Sequence, residues 1–150
     1  MRNLRRMMLS ATLAAVCGGS ASAGELPLVI SADDDSLEWG PCPEFMPDGC
    51  EIAVLHGDPA AANADVFFRV PGGADIPLHR HASAERMVLV SGELDVTYDG
   101  QETATIRVGD YAYGPADLPH SATCAPGDAC VLFIAFVEPV DAVPVGGGGE

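Results

Sequence analysis

Polar and apolar positions alternate with a period of two through much of the chain. Glu93-Leu-Asp-Val-Thr-Tyr98 and Thr103-Ala-Thr-Ile-Arg-Val108 both follow this pattern. Successive side chains of a strand point to opposite faces, so each run predicts a strand with one face on a core and one in solvent. Asp99-Gly100 between them is a strong hairpin signal. Ala64–Val70 predicts a strand that stops at Pro71-Gly72-Gly73. Val131–Val137 is apolar throughout and predicts a strand buried on both faces. Cys50–Leu55, the regions of His79 and Met87, and Asp110–Tyr113 add further strands, for about eight in all. No long stretch beyond the N-terminus has helical periodicity, and 17 glycines and 12 prolines punctuate the chain. The pattern predicts an all-β fold. Eight antiparallel strands in two sheets make a jelly-roll barrel.

Length and composition fit one domain with a real core: 150 residues, 48% of them hydrophobic. Residues 1–23 stand apart. They carry Arg2, Arg5 and Arg6, an apolar stretch from Met7 to Val16, and Ala21-Ser22-Ala23 as an A-x-A cleavage site. This is the pattern of a secretory signal peptide cleaved after Ala23, and it predicts a periplasmic or secreted protein. The apolar stretch is too short to span a membrane, so no membrane association is expected after cleavage. Arg5-Arg6-Met7-Met8-Leu9 resembles a twin-arginine signal, which exports folded and loaded proteins; an ordinary secretory route stays open. Residues 24–48 are expected to form an extended arm, 49–140 the domain, and 141–150, ending Val145-Gly-Gly-Gly-Gly-Glu150, a disordered tail.

The net charge is −15, and lysine is absent. Without the leader, four arginines face 22 acidic residues, a net of −18. Such a surface repels nucleic-acid phosphates and anionic lipids, so neither is an expected partner. The composition leaves homodimer formation open.

Four cysteines remain after cleavage: Cys42, Cys50, Cys124 and Cys130. An even number in an exported chain predicts two disulfides. Three connectivities exist, and short separations favour Cys42–Cys50 and Cys124–Cys130. Cys124, four residues past His120, is alternatively a metal ligand.

The chemistry concentrates in two runs, Gly73-Ala-Asp-Ile-Pro-Leu-His79-Arg-His81-Ala-Ser-Ala-Glu85 and Gly109-Asp-Tyr-Ala-Tyr-Gly-Pro115-Ala-Asp117-Leu-Pro-His120. Residues i and i+2 of a strand share a face, so His79 and His81 aim side by side. Three of the chain's four histidines fall in these runs. Imidazoles with a carboxylate suit a divalent transition metal: Fe or Mn is favoured, and Zn is compatible. His56 precedes Gly57-Asp58-Pro59 and reads as a solvated loop residue.

The first run, extended to Gly92, matches the first motif of the cupin superfamily, G-x5-H-x-H-x3-E-x6-G, at every fixed position. The second resembles the second cupin motif through Gly109, Pro115 and His120, with Asp117 where glycine is usual and Cys124 where asparagine is usual. The resemblance covers roughly residues 49–138. It implies a cupin double-stranded β-helix, with metal ligands at His79, His81, Glu85 and His120 converging inside the barrel mouth. The chain is also loosely similar to the cupin half of ChrR-type zinc-binding anti-sigma proteins. Cupins include metal-dependent dioxygenases, decarboxylases and isomerases acting on small molecules. An enzyme of that kind, leaning to the dioxygenase type, is the first expectation. A sensor or storage cupin binding a metal or small-molecule ligand is the alternative. Tyr111, Tyr113, Arg69, Met87 and Phe133 are the pocket candidates, with Phe67 and Phe68 fitting pocket or core.

Overall fold

The computed structural model describes residues 26–146. These form eleven strands: β1 (Trp39–Pro41), β2 (Glu51–His56), β3 (Ala64–Val70), β4 (Asp75–Arg80), β5 (Glu85–Ser91), β6 (Glu93–Tyr98), β7 (Ala104–Arg107), β8 (Tyr111–Gly114), β9 (His120–Cys124), β10 (Cys130–Phe136) and β11 (Val143–Pro144). One sheet has the order β1-β2-β3-β10-β5-β8 and the other β11-β4-β9-β6-β7, every pair antiparallel. This is the all-β jelly roll that the alternation predicts. No helix among the described residues is long and apolar enough to cross a membrane.

The core lies between the sheets. Val66, Val70, Met87, Leu89, Leu132, Ile134 and Phe136 project from the first sheet, and Ile76, Leu94, Val96, Ile106 and Ala122 from the second. Each set follows the two-residue period of its strand. Burying a Val, Leu, Ile, Phe or Met side chain stabilises by roughly 1.5–3 kcal/mol, so the alternating positions fix the register.

Several expectations change in detail. Val131–Val137 is not buried on both faces. Leu132, Ile134 and Phe136 face the core, whereas Phe133 and Ala135 lie half-buried on the outer face and Val137 is exposed beyond the strand. The turn after Tyr98 is longer than two residues, because pairing resumes only at Val96 opposite Ala104. The strand β9 has no hydrophobic signature. Its inward positions are His120, Ala122 and Cys124, so its alternation is hidden from hydropathy. It is held by backbone pairing to β4 and β6 on either side.

The two flanks are also built into the domain. Within the expected arm, β1 pairs with β2, and the Arg69 guanidinium lies 3.9 Å over the Trp39 ring. Within the expected tail, β11 pairs with His79 and Arg80 of β4, and Val145 N–H donates to the Leu78 carbonyl at 3.1 Å. Edge backbone groups satisfied this way order a segment whose composition alone reads as disordered. The leader and its cleavage site lie outside the described residues, as do residues 147–150. Both expected disulfides are present, Cys42–Cys50 and Cys124–Cys130, so the Cys124 sulfur is bonded to Cys130 instead of facing a metal.

Candidate metal centre

The end of β4 delivers His79 into the barrel, and His81 follows just past the strand on the same face. The turn at Ala82–Ala84 crosses to the other sheet, where Glu85 opens β5. His120 opens β9 directly opposite His79 in the strand register. All four side chains are buried, with residue exposures between 3% and 8%. The imidazole centroids lie 4.4 Å (His79–His120), 4.9 Å (His79–His81) and 5.4 Å (His81–His120) apart. Each imidazole offers a ligand nitrogen within 4.8 Å of the other two. Glu85 stands beside this group, with Oε1 3.4 Å from His81 Nε2 and Oε2 3.8 Å from His120 Nε2.

The second ring nitrogens determine what the cluster can do. His79 Nδ1 lies 2.7 Å from the Pro77 carbonyl oxygen, and His120 Nδ1 lies 3.2 Å from that of Leu118. His81 Nδ1 is hydrogen-bonded to the Asp141 carbonyl oxygen. A carbonyl only accepts, so each Nδ1 carries the proton and donates it. That leaves an unprotonated Nε2 on every ring, the state a metal requires. Burial pushes the His79 imidazole below its ordinary pKa of 6.5. Burial, with repulsion from His79, takes His81 and His120 to about 4. Three neutral imidazoles are therefore presented at neutral pH. Burial and the nearby Asp141 charge raise Glu85 from 4.5 to about 8. A buried carboxyl beside three basic nitrogens gains its countercharge from a cation, and this donor set fits a divalent transition metal.

Three contributors escape sequence reasoning. Asp141, in the expected tail, holds His81 through its carbonyl and accepts from the Ala82 N–H through its carboxylate at 3.0 Å. The Tyr98 ring lies 4.9 Å from that of His120, and its buried hydroxyl has no hydrogen-bond partner among the described residues. Burial and the neighbouring Glu85 raise its pKa above the ordinary 10.0. Gly114 backs this corner. A Cβ there would stand 2.7 Å from the Tyr98 hydroxyl and 3.0 Å from Glu85 Oε2, so a larger residue would press on the ends of both side chains. The register offers one clue in retrospect, since Tyr98 pairs with His120 and Glu85 with Gly114.

A cavity of about 210 Å³ opens from the four polar side chains. Of the expected pocket residues, Met87 lines it and so does Phe68. The others do not. Tyr111 and Tyr113 sit on the outer face of β8, 64% and 55% exposed, because the period of two turns Ala112 inward instead. Arg69 points outward and forms an ion pair with Glu51. Phe133 lies edge-on to Phe67 on the outer face, with centroids 6.5 Å apart. His56 is exposed at the end of β2, away from the site.

A family model described as the ChrR cupin-like domain matches residues 29–139. No curated protein sequence matches the chain. Among solved structures, the fold is similar to DMSP lyase DddQ from Ruegeria pomeroyi, with TM-score 0.63 and 19% identity over 76% of this chain. It is also similar to the polyketide cyclase RemF from Streptomyces resistomycificus, with TM-score 0.64, 19% identity, and coverage of 79% of this chain and 87% of that one. Bacillus subtilis oxalate decarboxylase, whose structure concerns Mn(II) centres, gives TM-score 0.54 and 24% identity over 65% of this chain and 28% of its own. The chain spans 64% of the length of the DddQ lyase. At these identities the likeness establishes the fold.

Proposed function

Because this chain belongs to the ChrR cupin-like domain family, we propose that it is a metal-dependent cupin enzyme acting on a small molecule, with His79, His81, Glu85 and His120 as the protein ligands. One observation carries this reading. Three neutral imidazoles, each locked through Nδ1 to a backbone carbonyl, offer ligand nitrogens within 4.8 Å of one another on the lining of a largely apolar cavity. A structural site is closed on all sides by protein; this one faces space for a ligand. These four residues would hold an Fe or Mn ion, and the adjoining cavity would give a small molecule access to it. A bound metal would supply Lewis-acid and, for Fe or Mn, redox chemistry. The chain's own residues bind and orient. Apolar side chains exclude water, Glu85 supplies the negative charge, and the carbonyls of Pro77, Leu118 and Asp141 hold the rings in place.

The dioxygenase, decarboxylase and isomerase types remain the reaction classes for this geometry. The lyase, cyclase and decarboxylase names among the neighbours support metal or small-molecule chemistry on this barrel. A second reading, a zinc-binding sensor, is favoured by the ChrR family match itself and by a donor set of three imidazoles and a carboxylate that would also hold zinc in a non-catalytic role. We further propose that the protein works in the periplasm or outside the cell, a reading supported by the signal-like leader and two disulfides. Elemental analysis of protein purified from its own compartment tests the assignment. One Fe or Mn per chain is expected, and its loss from the double variant His79→Ala, His81→Ala. Stoichiometric Zn would favour the sensor. Full metal content in the double variant would remove these residues from the ligand set.

A further inference from the structure

Building on this metal-site reading, we infer that the ligand is a small, mostly apolar molecule presenting one oxygen head to the metal and carrying at most one negative charge. Apart from the four candidate ligands, Tyr98 and Asp141, the lining is apolar: Ile52, Phe68, Met87, Leu132, Ile134 and Val140 are among its residues. The volume of about 210 Å³ lies below the usual range for ligand pockets, roughly 300–1,000 Å³, so the ligand is small.

The charge limit follows from where the cations are. Lysine is absent from the chain. Arg69 is tied to Glu51, Arg80 to Asp117 and Arg107 to Glu93, and Arg86 is exposed on the outer face of β5. Among the described residues, no arginine lines the cavity. The only countercharge inside is then the metal. A divalent ion with one carboxylate and three neutral imidazoles keeps a single net positive charge, which one anionic head neutralises. A second negative charge would be buried without compensation, which is costly in an apolar environment. Asp141 on the cavity wall, its carboxylate held by the Ala82 N–H, adds repulsion. An apolar body, in contrast, gains about 0.8 kcal/mol per buried methylene.

The test uses the disulfide-intact chain loaded with Co(II), whose visible absorption reports ligands entering its coordination sphere. Cobalt content is measured first. Acetate, hexanoate and succinate are then titrated at constant ionic strength and neutral pH. Hexanoate is expected to bind at least about tenfold more tightly than acetate, since only part of its four extra methylenes need be buried to reach that ratio. It is expected to exceed succinate by a similar factor. Stoichiometric cobalt with succinate binding as tightly as hexanoate would overturn the charge limit. Stoichiometric cobalt with acetate equal to hexanoate would overturn the apolar body. Failure to take up cobalt would instead overturn the metal-site reading, and this inference with it.

Discussion

Asp117 and Glu85 show how single residues set the behaviour of this site. Asp117 occupies a position where the cupin motif usually has glycine, and its φ of 61° shows that the left-handed turn is retained. Aspartate tolerates this conformation better than most residues. Its amide donates to the His81 carbonyl at 2.8 Å, and its carboxylate pairs with Arg80, so the substitution ties the second motif to the first. Glu85 carries the pH dependence. Its folded pKa of about 8 lies above its ordinary 4.5, so the folded chain holds more protons than the unfolded one in that window. Without bound metal, stability therefore falls as pH rises from 4.5 towards 8. His81 and His120 act oppositely. Their pKa falls from 6.5 to about 4, and stability is lost as pH drops through that interval. Metal uptake must displace the Glu85 proton and none from Nε2 of the neutral imidazoles. Titration calorimetry in buffers of differing ionisation enthalpy should show about one proton released per ion near pH 6.5, falling towards none above about pH 9. No release at either pH would remove Glu85 from the ligand set.

At the level of elements, the loop between β1 and β2 is the roof of the cavity. The Cys42–Cys50 bridge closes it, Cys42, Pro43 and Met46 line the space beneath, and the Phe45 ring lies 6.1 Å from that of His79. The loop supplies no metal ligand, so its integrity and metal binding should separate. The double variant Cys42→Ser, Cys50→Ser is expected to keep one metal per chain. A bridge of this kind contributes roughly 2–4 kcal/mol, so the opened loop should be cut after Phe45 by chymotrypsin at least about tenfold faster than the native one. Equal cleavage rates would mean that the apolar contacts of Phe45 and Met46, and not the bridge, hold the roof. Val140, Asp141 and Ala142 also line the cavity, and they lead into β11, which pairs with β4. The cavity is thus framed by the two segments that flank the sequence motifs.

At the scale of the whole molecule, the candidate ligands join the two sheets. His79, His81 and His120 come from β4, its end and β9 in one sheet, and Glu85 comes from β5 in the other. A metal held by all four would cross-link the sandwich at the mouth, where the core gives way to the cavity. An ion present at about 100 times its dissociation constant stabilises by about 2.7 kcal/mol. For a domain of this size, that corresponds to a Tm shift of about 10 °C. Scanning calorimetry before and after chelation should show a drop of that order, restored by adding back the metal. An unchanged Tm would mean that no ion binds the folded chain in preference to the unfolded one.

The sequence by itself determined the strands whose alternation is hydrophobic, because burial of every second side chain leaves a trace in composition. It also favoured the close pairing of cysteines and pointed to the donors, because His79, His81 and Glu85 are spaced closely in one run and the resemblance supplies His120 from the second. It did not reveal β9, whose inward side chains are a histidine, an alanine and a cysteine. It left Tyr111, Tyr113, Arg69 and Phe133 as pocket candidates, and strand phase turns all four to the outer face. Which face a strand presents depends on its pairing partners, and a slip of one residue reverses it. Only the tertiary structure brought Asp141 to His81 across 60 residues of chain, set Tyr98 against His120, and made Gly114 the space that Tyr98 and Glu85 share. Those contacts join segments distant in sequence, and their physical cause is the closure of two sheets on one core.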